Sequence, residues 1–281
     1  MKELDYTQKE AQRLISKGRL SVNGEVMSRT SGFLEGDVSF IYFEPVTRGL
    51  DPIFQTNEFA IYDKPSGVLV HPQNRHTPYS IIDEAKHAFG RDANITHRID
   101  QETSGLLLIA KNKTSERSLK MMFETREIKK SYLALVHGEF PDDLYVDAPL
   151  LRREDESAIV RMVVRVHEDG KASQTGFKRL CYYPQLDMSL VEASPLTGRQ
   201  HQIRVHLFHV KHPIVGDPIY GQKDEDVVRF LDREISKEER IEKSGASRLM
   251  LHANQLCFKH GSEYCIGSKD IFSTDPLSLL D

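Results

Sequence analysis

One apolar run, Leu106-Leu107-Leu108-Ile109-Ala110, constrains the fold of this chain more than any other feature. A short uninterrupted run of this kind predicts a strand that is buried in a sheet. Residues 96–105, just before it, supply a histidine, an arginine, an aspartate, threonines, a serine and a glycine. Because loops held by buried strands commonly carry binding and chemistry, this approach to the strand is a candidate site. These polar residues could equally have a purely structural role, so features elsewhere in the chain are needed to distinguish a functional role from a structural one.

Elements on both sides of this run predict a sheet with helices packed against it. Residues 59–62 form an apolar and aromatic strand, after which Pro65 and Gly67 turn the chain sharply into a second strand at 68–70. Lys64 lies at that turn, where it faces either a phosphate or solvent. Apolar residues at helical spacing predict helices over 80–89 and 114–125.

The second half of the chain adds more strands than helices. Residues 159–166 and 174–183 alternate and predict neighbouring strands joined by a turn at Gly170. Blocks of strands and helices, rather than strict alternation, predict an α+β fold with a mixed, mainly antiparallel sheet flanked by helices. The remaining predicted elements are strands at 132–136 and 190–193, a helix from Thr197, a surface helix or insertion at 223–243, and a strand at 250–253.

The helix after Thr197 carries an arginine and a row of histidines. Its buried face is marked by Ile203, Leu207 and Val210, and Arg204 lies at the margin of that face. The spacing of three histidines is i, i+3, i+6, which is compatible with a metal site, but no Cys, Asp or Glu ligand lies nearby in the sequence. We therefore predict no metal. The three are His206, His209 and His212.

The first 48 residues predict a small separate module, and residues 49–281 the main domain. Thr7-Gln8-Lys9-Glu10 is a capping box that begins a short helix, which Gly18 ends. Val22-Asn23-Gly24-Glu25-Val26 predicts a tight hairpin, because Asn-Gly tolerates positive φ. A turn at 34–37 then leads into a strand at 38–43.

The charge balance does not by itself indicate a nucleic-acid partner. The chain of 281 residues has a formal net charge of −4, with 39% hydrophobic and 28% charged residues, as in an ordinary globular protein. Basic residues are concentrated between 111 and 130, where seven Lys or Arg stand against three acids. Such a run fits local RNA contact, and it also fits a solvated helix face.

Cysteine content and hydropathy predict a cytoplasmic protein. Cys181, Cys257 and Cys265 are odd in number and widely spaced, which predicts neither a disulfide framework nor a zinc module. The first residues lack the apolar stretch of a signal peptide, and no apolar run approaches a membrane span. No Gly-rich phosphate loop or other cofactor motif is present, so we predict no cofactor.

The polar approach to the central strand, His97-Arg98-Ile99-Asp100-Gln101-Glu102-Thr103-Ser104-Gly105, resembles the active-site motif of the RluA-type pseudouridine synthases, which isomerise uridine within RNA. Four more stretches match in the family order, and together the five cover roughly residues 53–275. Five ordered motifs are far more specific than one. The other four are Asp63-Lys64-Pro65-Ser66-Gly67, Lys130-Ser131-Tyr132-Leu133-Ala134, Thr197-Gly198-Arg199-Gln200-His201-Gln202-Ile203-Arg204 and Leu251-His252-Ala253.

The resemblance implies a catalytic centre built on Asp100. This reaction breaks the bond from ribose C1′ to base N1 and re-forms it to C5, and it needs a carboxylate beside C1′. The family aspartate, here Asp100, either attacks the sugar or assists loss of the C2′ proton. Arg204 matches the arginine that pairs with it and would keep it ionised in a closed pocket. Tyr132 matches the tyrosine that stacks on the base, although a tyrosine at a strand edge also commonly anchors packing, and Leu251 is expected to line the opposite wall.

The resemblance also implies that the target uridine is flipped out of the RNA. Arg98 matches the arginine that fills the vacated space, where its planar guanidinium can stack. His97 and Thr103 are expected to hold the loop shape, and the family places Lys64 near the site. The expected partner is ribosomal or transfer RNA, with no obligatory protein partner and no membrane.

The N-terminal module resembles the S-four-type (alpha-L) RNA-binding module that often precedes these domains, in its Gly18, Val22-Asn23-Gly24 and Gly36-Asp37. It departs from that pattern because only six residues precede Thr7, so a shortened module is expected, and a small structural cap stays an alternative. For the whole chain, two rival hypotheses remain: an RNA-binding or ribosome-assembly factor without catalysis, and a metal-dependent RNA hydrolase built on the histidine-rich helix.

Overall fold

The protein divides into two compact units, Met1–Pro45 and Val46–Asp281. Its structure, a computed structural model, describes residues 7–28, 35–41, 43–74, 76–152 and 163–268. The division falls three residues before the boundary expected from the sequence. Val46, Thr47 and Arg48 belong to the second unit because they bind the first turn of its first helix: the Thr47 hydroxyl donates to Glu84 at 2.7 Å and the Arg48 N–H at 2.6 Å.

The first unit contains one helix and a three-stranded antiparallel sheet among its described residues. Thr7 caps helix α1 (Gln8–Ser16), and the Thr7 N–H donates to the Glu10 carboxylate at 2.9 Å, which confirms the capping box. Asn23 and Gly24, with φ of 50° and 85°, form the predicted hairpin turn. The strands are β1 (Leu20–Val22), β2 (Glu25–Val26) and β3 (Val38–Phe40), in the order β2-β1-β3, and β3 ends earlier than the predicted strand at 38–43.

The second unit is built on one large sheet with helices packed on it. Its described strands are β4 (Phe54–Gln55), β5 (Phe59–Lys64), β6 (Asn94–Ile95), β7 (Ser104–Ala110), β8 (Lys129–His137), β9 (Asp143–Asp147), β10 (Leu150–Arg152), β11 (Val164–Val166), β12 (Gln174–Tyr183), β13 (Met188–Pro195), β14 (Leu251–His260) and β15 (Ser262–Gly267). Its described helices are α2 (Ile81–Phe89), α3 (Lys113–Glu124), α4 (Gln202–His209), α5 (Asp224–Leu231) and α6 (Lys237–Ser244).

The strand order of the large sheet is β4-β5-β7-β14-β8-β13-β12-β9, with β15 added to β14 and β6 to β7. Every pairing in this sheet is antiparallel except that of β7 with β14. The mixed, mainly antiparallel α+β fold predicted from the sequence is confirmed. The parallel pair matters most for function, because it joins the strand after the candidate loop to the strand that carries Leu251.

The central apolar run forms β7, which is buried on both faces as predicted. Leu106 and Leu108 pack into the larger core with Leu119 of α3, whereas Leu107 and Ile109 pack into the second core with residues of α2. All five side chains of the run are fully buried. A strand fixed on both faces leaves little freedom to the loop that enters it, since any shift would open voids in two cores.

Three predicted elements differ in the structure. Residues 68–70 are not a strand, because the Leu69 and Val70 carbonyls accept the first N–H groups of α2 at 2.9 and 3.2 Å. Strand β11 pairs with β10 rather than with β12, and residues 159–162 lie outside the described ranges. Helix α4 begins at Gln202 instead of Thr197, because the Gln202 side chain accepts hydrogen bonds from the Thr197 hydroxyl and the Arg199 N–H and holds these residues in a turn.

The cysteine prediction is wrong for one pair, since Cys257 and Cys265 form a disulfide. The two residues stand directly opposite each other in the β14–β15 hairpin, with their Cα atoms 4.1 Å apart. Their separation of eight residues in the sequence gave no indication of this cross-strand register. Cys181 is a free, exposed thiol. In the described ranges, no helix combines the length and the apolar content that crossing a bilayer requires.

Gly216 is a position where the fold tolerates no side chain. Its φ is +77°, and a Cβ there would lie 1.8 Å from the carbonyl oxygen of Arg248. The Gly216 N–H also donates to the Ser244 carbonyl at 2.7 Å, so the backbone is held against two neighbouring segments.

We expect Gly216→Ala to lower the free energy of unfolding by about 2–4 kcal/mol, through the left-handed conformation and the overlap with Arg248. Gly261→Ala is the matched control, because Gly261 has a φ of +73° with nothing within 4 Å of its Cβ position. It should lose only about 1–2 kcal/mol. Urea denaturation of both variants measures the difference. Equal losses would show that the contact with Arg248 is not limiting.

Candidate active site

A cleft of about 920 Å³ opens in the second unit and collects most of the predicted site residues. Its walls are the loop before β7, the end of α3 with the start of β8, and the segment from the end of β13 into α4. Lys64 is the one predicted residue that does not line it. The predicted residues on its walls are His97, Arg98, Asp100, Thr103, Tyr132, Arg204 and Leu251.

Asp100 and Arg204 meet at the floor of this cleft. The Arg204 Nη1 group donates to the Asp100 Oδ2 oxygen at 3.2 Å. The Asp100 side chain keeps 25% of its surface exposed, whereas that of Arg204 keeps 2%. The carboxylate is therefore reachable from the cleft while its partner is not. The sequence placed Arg204 at the margin of the helix face, and the structure places it inside.

A second carboxylate, Asp217, holds Arg204 more tightly than Asp100 does. The Nε and Nη2 groups of Arg204 donate to the two oxygens of Asp217, each at 2.8 Å. Asp217 is fully buried and also accepts the N–H groups of Ile219 and Tyr220 at 2.9 and 3.0 Å. Burial alone would lower the pKa of Arg204, but the charge and hydrogen bonds of Asp217, with a smaller contribution from Asp100, raise it. Arg204 is therefore a permanent cation that is locked in orientation.

His201 and Tyr220 complete the surroundings of Asp100. The His201 Nε2 atom lies 3.8 Å from the Asp100 Oδ2 atom, and its Nδ1 atom is 2.9 Å from the Tyr220 hydroxyl. Burial, and then the charge of Arg204, lower the pKa of His201 to about 4. The imidazole is thus neutral at physiological pH and adds no positive charge. His201 has a φ of 54° and directly precedes α4, which turns its ring toward the cleft residue Asp100.

Tyr132 and Leu251 form an apolar wall on adjacent strands of the sheet. Tyr132 stands between Ala193 of β13 and Ala253 of β14, and these two small side chains leave room for its ring. Tyr132 is 9% exposed and Leu251 3% exposed. Burial, and then the charge of Asp100, raise the pKa of Tyr132, so its phenol stays protonated at neutral pH. A neutral aromatic ring beside a carboxylate suits a planar base.

His97 and Thr103 shape the loop. The His97 Nε2 atom accepts the Leu108 N–H at 3.0 Å, and its ring stacks on Phe123 with the centroids 4.3 Å apart. Burial, followed by the charge of Lys130, lowers the pKa of His97 to about 3, in keeping with its role as an acceptor. The Thr103 N–H donates to the Asp100 carbonyl at 3.2 Å and closes the loop around Asp100.

Lys64 lies under this loop rather than in the cleft. Its side chain is fully buried, and its ammonium donates to the carbonyls of Pro65, Val68 and Gln101 at 2.9, 2.8 and 2.9 Å. All three donors are used, so Lys64 faces neither of the two partners, phosphate or solvent, that the sequence suggested. Burial lowers its pKa to about 7, against an opposing effect of Glu102. Its contact with Gln101, the residue after Asp100, ties the 65–68 turn to the loop.

The insertion that precedes β14 also supports the loop. Arg240 of α6 forms an ion pair with Glu102 at 2.8 Å, and its Nη2 group donates to the Gly216 carbonyl at 3.0 Å. Glu102 lies two residues after Asp100, and Gly216 directly precedes Asp217. One arginine therefore connects the segment that carries Asp100 with the segment that holds Arg204. The sequence predicted only a surface helix or insertion at 223–243.

Arg98 is the exposed member of the predicted set. Its side chain lines the cleft and makes no hydrogen bond or ion pair with any residue in the described ranges. It is therefore available to enter a nucleic acid placed over the cleft.

Two of the three histidines considered for a metal site, His206 in α4 and His212 after it, have other partners. His206 is fully buried and both its ring nitrogens are engaged, by the Thr175 hydroxyl at 2.9 Å and the Ala148 carbonyl at 3.0 Å. His212 contacts the His137 carbonyl at 2.9 Å. Within the parts of the chain that the structure describes, no group of three or more His, Cys, Asp or Glu is arranged to hold a metal ion.

Sequence reasoning missed Asp217, His201, Tyr220 and Arg240. The only signal for Asp217 was an acidic residue directly after the apolar stretch Ile214-Val215-Gly216, where a charge needs a partner. His201 lay within a matched motif, but nothing in its spacing gave its role. Arg240 lies in a segment rich in both charges, in which no single arginine stands out.

Comparisons with known proteins agree on one family. A family model described as RNA pseudouridylate synthase matches residues 58–209. An uncharacterised RNA pseudouridine synthase of Helicobacter pylori strain J99 is 38% identical over 92% of this chain and 86% of its own length. The ribosomal large subunit pseudouridine synthase C of Vibrio vulnificus is 34% identical over 88% of this chain and 79% of its own.

A solved structure shares the fold as well. The human RNA pseudouridylate synthase domain containing 1 superposes with a TM-score of 0.63 and 26% identity, covering 82% of this chain and 87% of that one. The family model spans more than half of the chain, and the relatives align over most of its length. The chain therefore belongs to the RNA pseudouridine synthase family, whose members are isomerases that convert uridine to pseudouridine in RNA.

Proposed function

We propose that Asp100 acts on the ribose of a uridine that has been flipped into the cleft. The supporting observation is the position of its carboxylate, which is partly exposed at the floor of the cleft and held by Arg204, itself fixed by Asp217. A fixed anion beside C1′ serves either of two steps, attack on the sugar carbon or removal of the C2′ proton. Both leave the base free to turn and to re-form its bond through C5.

Tyr132 and Leu251 hold the base in this proposal. The base stacks on the Tyr132 ring, and Leu251 excludes water from the detached base while it turns. Because its pKa is raised, the Tyr132 phenol carries a proton at neutral pH. It can therefore take part in the proton transfer at C5 only as a protonated group, by donating its own proton, and not as a phenolate base. Because the His201 ring is neutral, the positive charge in contact with Asp100 is that of Arg204, which Asp100 shares with Asp217.

Ribosomal RNA is the proposed substrate, with transfer RNA as the second candidate. Support comes from the Vibrio vulnificus relative, which is named for the large ribosomal subunit. RNA binding by the first unit stays a prediction, as does a location in the cytoplasm. Mapping pseudouridines in RNA from a deletion strain and from wild type identifies the target directly: each site that disappears is a substrate.

Asp100→Asn should abolish isomerisation and leave RNA affinity nearly unchanged. The amide keeps the shape of the side chain but can neither attack the sugar nor accept its proton, so we expect a loss of at least about a thousandfold. Tritium release from [5-³H]uridine-labelled RNA measures turnover, and filter binding measures affinity.

Glu124→Gln is the matched control for this variant. Glu124 is an exposed carboxylate on the wall of the same cleft, and its loss should leave turnover within a few-fold of wild type. Undiminished tritium release by Asp100→Asn would refute the assignment.

Arg98→Ala should impair base flipping specifically. We expect it to reduce kcat/KM on RNA with a base-paired target at least tenfold more than on RNA with an unpaired target, since extrusion costs about a few kcal/mol only in the first. Arg126→Ala is the control, because Arg126 is also exposed on the cleft wall and has no predicted role in flipping. Arg126→Ala should lower kcat/KM on both RNAs by the same factor. Equal losses on both RNAs by Arg98→Ala would remove its flipping role.

A further inference from the structure

Lys130 places an ammonium group inside the cleft, next to Tyr132 on the same face of β8, where the base is proposed to stack. Lys130 and Tyr132 are two residues apart on β8, so their side chains share a face of the sheet, and both line the cleft. Ser131, between them, points to the opposite face, where its hydroxyl donates to Glu192 at 2.6 Å. The Lys130 Nζ atom lies 3.6 Å from the Cβ position of Gly198, on the far wall.

Lys130 has no partner among the residues that the structure describes. Other lysines nearby do: Lys120 pairs with Glu116 at 2.5 Å, and Lys113 pairs with Asp92 at 3.1 Å. Burial lowers the pKa of Lys130, and among the described residues no carboxylate offsets that effect. Withdrawing an ammonium from water without an acceptor is unfavourable. An ammonium that lies in a cleft without an acceptor therefore indicates that an anionic ligand binds there.

The groups around Lys130 favour an anion at this point. His97 is close enough for the charge of Lys130 to help lower its pKa, and burial keeps its ring neutral. Gly198, opposite, has no side chain and so adds no charged or polar side-chain group next to the ammonium, which lies 3.6 Å from its Cβ position. Two residues of an extended strand span about 6.6 Å, which is on the scale of one nucleotide of an extended RNA strand.

We propose that Lys130 binds a backbone phosphate of the substrate RNA immediately next to the extruded uridine. The proposal rests on the proposed function, because Tyr132 fixes where the base lies and Lys130 then meets the adjoining phosphate. The contact holds the strand at the cleft while the uridine is turned in. It reads no base and so adds affinity without sequence preference.

The test is the salt dependence of RNA recognition in Lys130→Gln. Binding of one phosphate releases counterions, so the loss of one contact should reduce the slope of log(kcat/KM) against log[KCl] by about 0.7. We expect that reduction, together with a loss of about tenfold in kcat/KM on [5-³H]uridine-labelled RNA at low salt. Lys130→Arg should retain the wild-type slope. A slope for Lys130→Gln equal to that of wild type overturns the proposal.

Lys178→Gln is the control for the change of charge. Lys178 is exposed on β12 and does not line the cleft, so its replacement should leave the slope unchanged. A reduced slope there as well would show a general field effect and would overturn the proposal too.

Thermal unfolding and direct RNA binding separate this proposal from its alternatives. Removing a half-buried ammonium that has no partner among the described residues should leave Tm unchanged or raise it, whereas a merely structural lysine would lower Tm without altering the salt slope. Filter binding of the same RNA at several KCl concentrations gives the slope independently of turnover. An unchanged slope would refute the phosphate contact even if the wild-type protein releases tritium. Conversely, absence of tritium release by the wild-type protein would refute the isomerase assignment even if the slope of RNA binding changes.

Discussion

The buried pair of Arg204 and Asp217 is the interaction on which the site depends. Neither side chain is reachable by solvent to any useful degree, with 2% and 0% of their surfaces exposed. Removing one partner of such a pair leaves an uncompensated charge and typically costs about 3–5 kcal/mol. Asp217 therefore fixes the guanidinium plane, and the remaining Nη1 donor can point only to Asp100. The Asp100 carboxylate, which faces the cleft, is therefore oriented by the Arg204–Asp217 pair, and that pair does not depend on Asp100.

Other contacts hold the segment that carries Asp100 against the segment that carries Arg204 and Asp217. Lys64 ties the loop after Asp100 to the 65–68 turn, and β7 anchors the loop in two cores. Arg240 joins Glu102 to Gly216, and Gly216 fits only without a side chain. Because these contacts come from four separate parts of the sequence, the geometry at Asp100 is a property of the whole second unit rather than of one motif.

The sequence predicted those parts of the site that depend on local pattern. An apolar run identified β7, and ordered motifs brought Asp100, Tyr132 and Arg204 to one cleft, where the structure places them. Asp217 was not predicted, because its importance comes from its ion pair with Arg204, which no motif spacing indicates, and it lies outside the matched residues 58–209. The Cys257–Cys265 disulfide was missed because cross-strand register cannot be read from spacing. The position of Lys64 was misjudged because its acceptors are carbonyls, which have no sequence signature.

A kinetic double-mutant cycle between Asp217→Asn and Arg204→Gln tests the central claim most directly. If Asp217 acts only by orienting Arg204, each single variant should lower kcat for tritium release, and the double variant should be no slower than Arg204→Gln alone. Multiplication of the two losses, as for residues that act independently, would contradict the account.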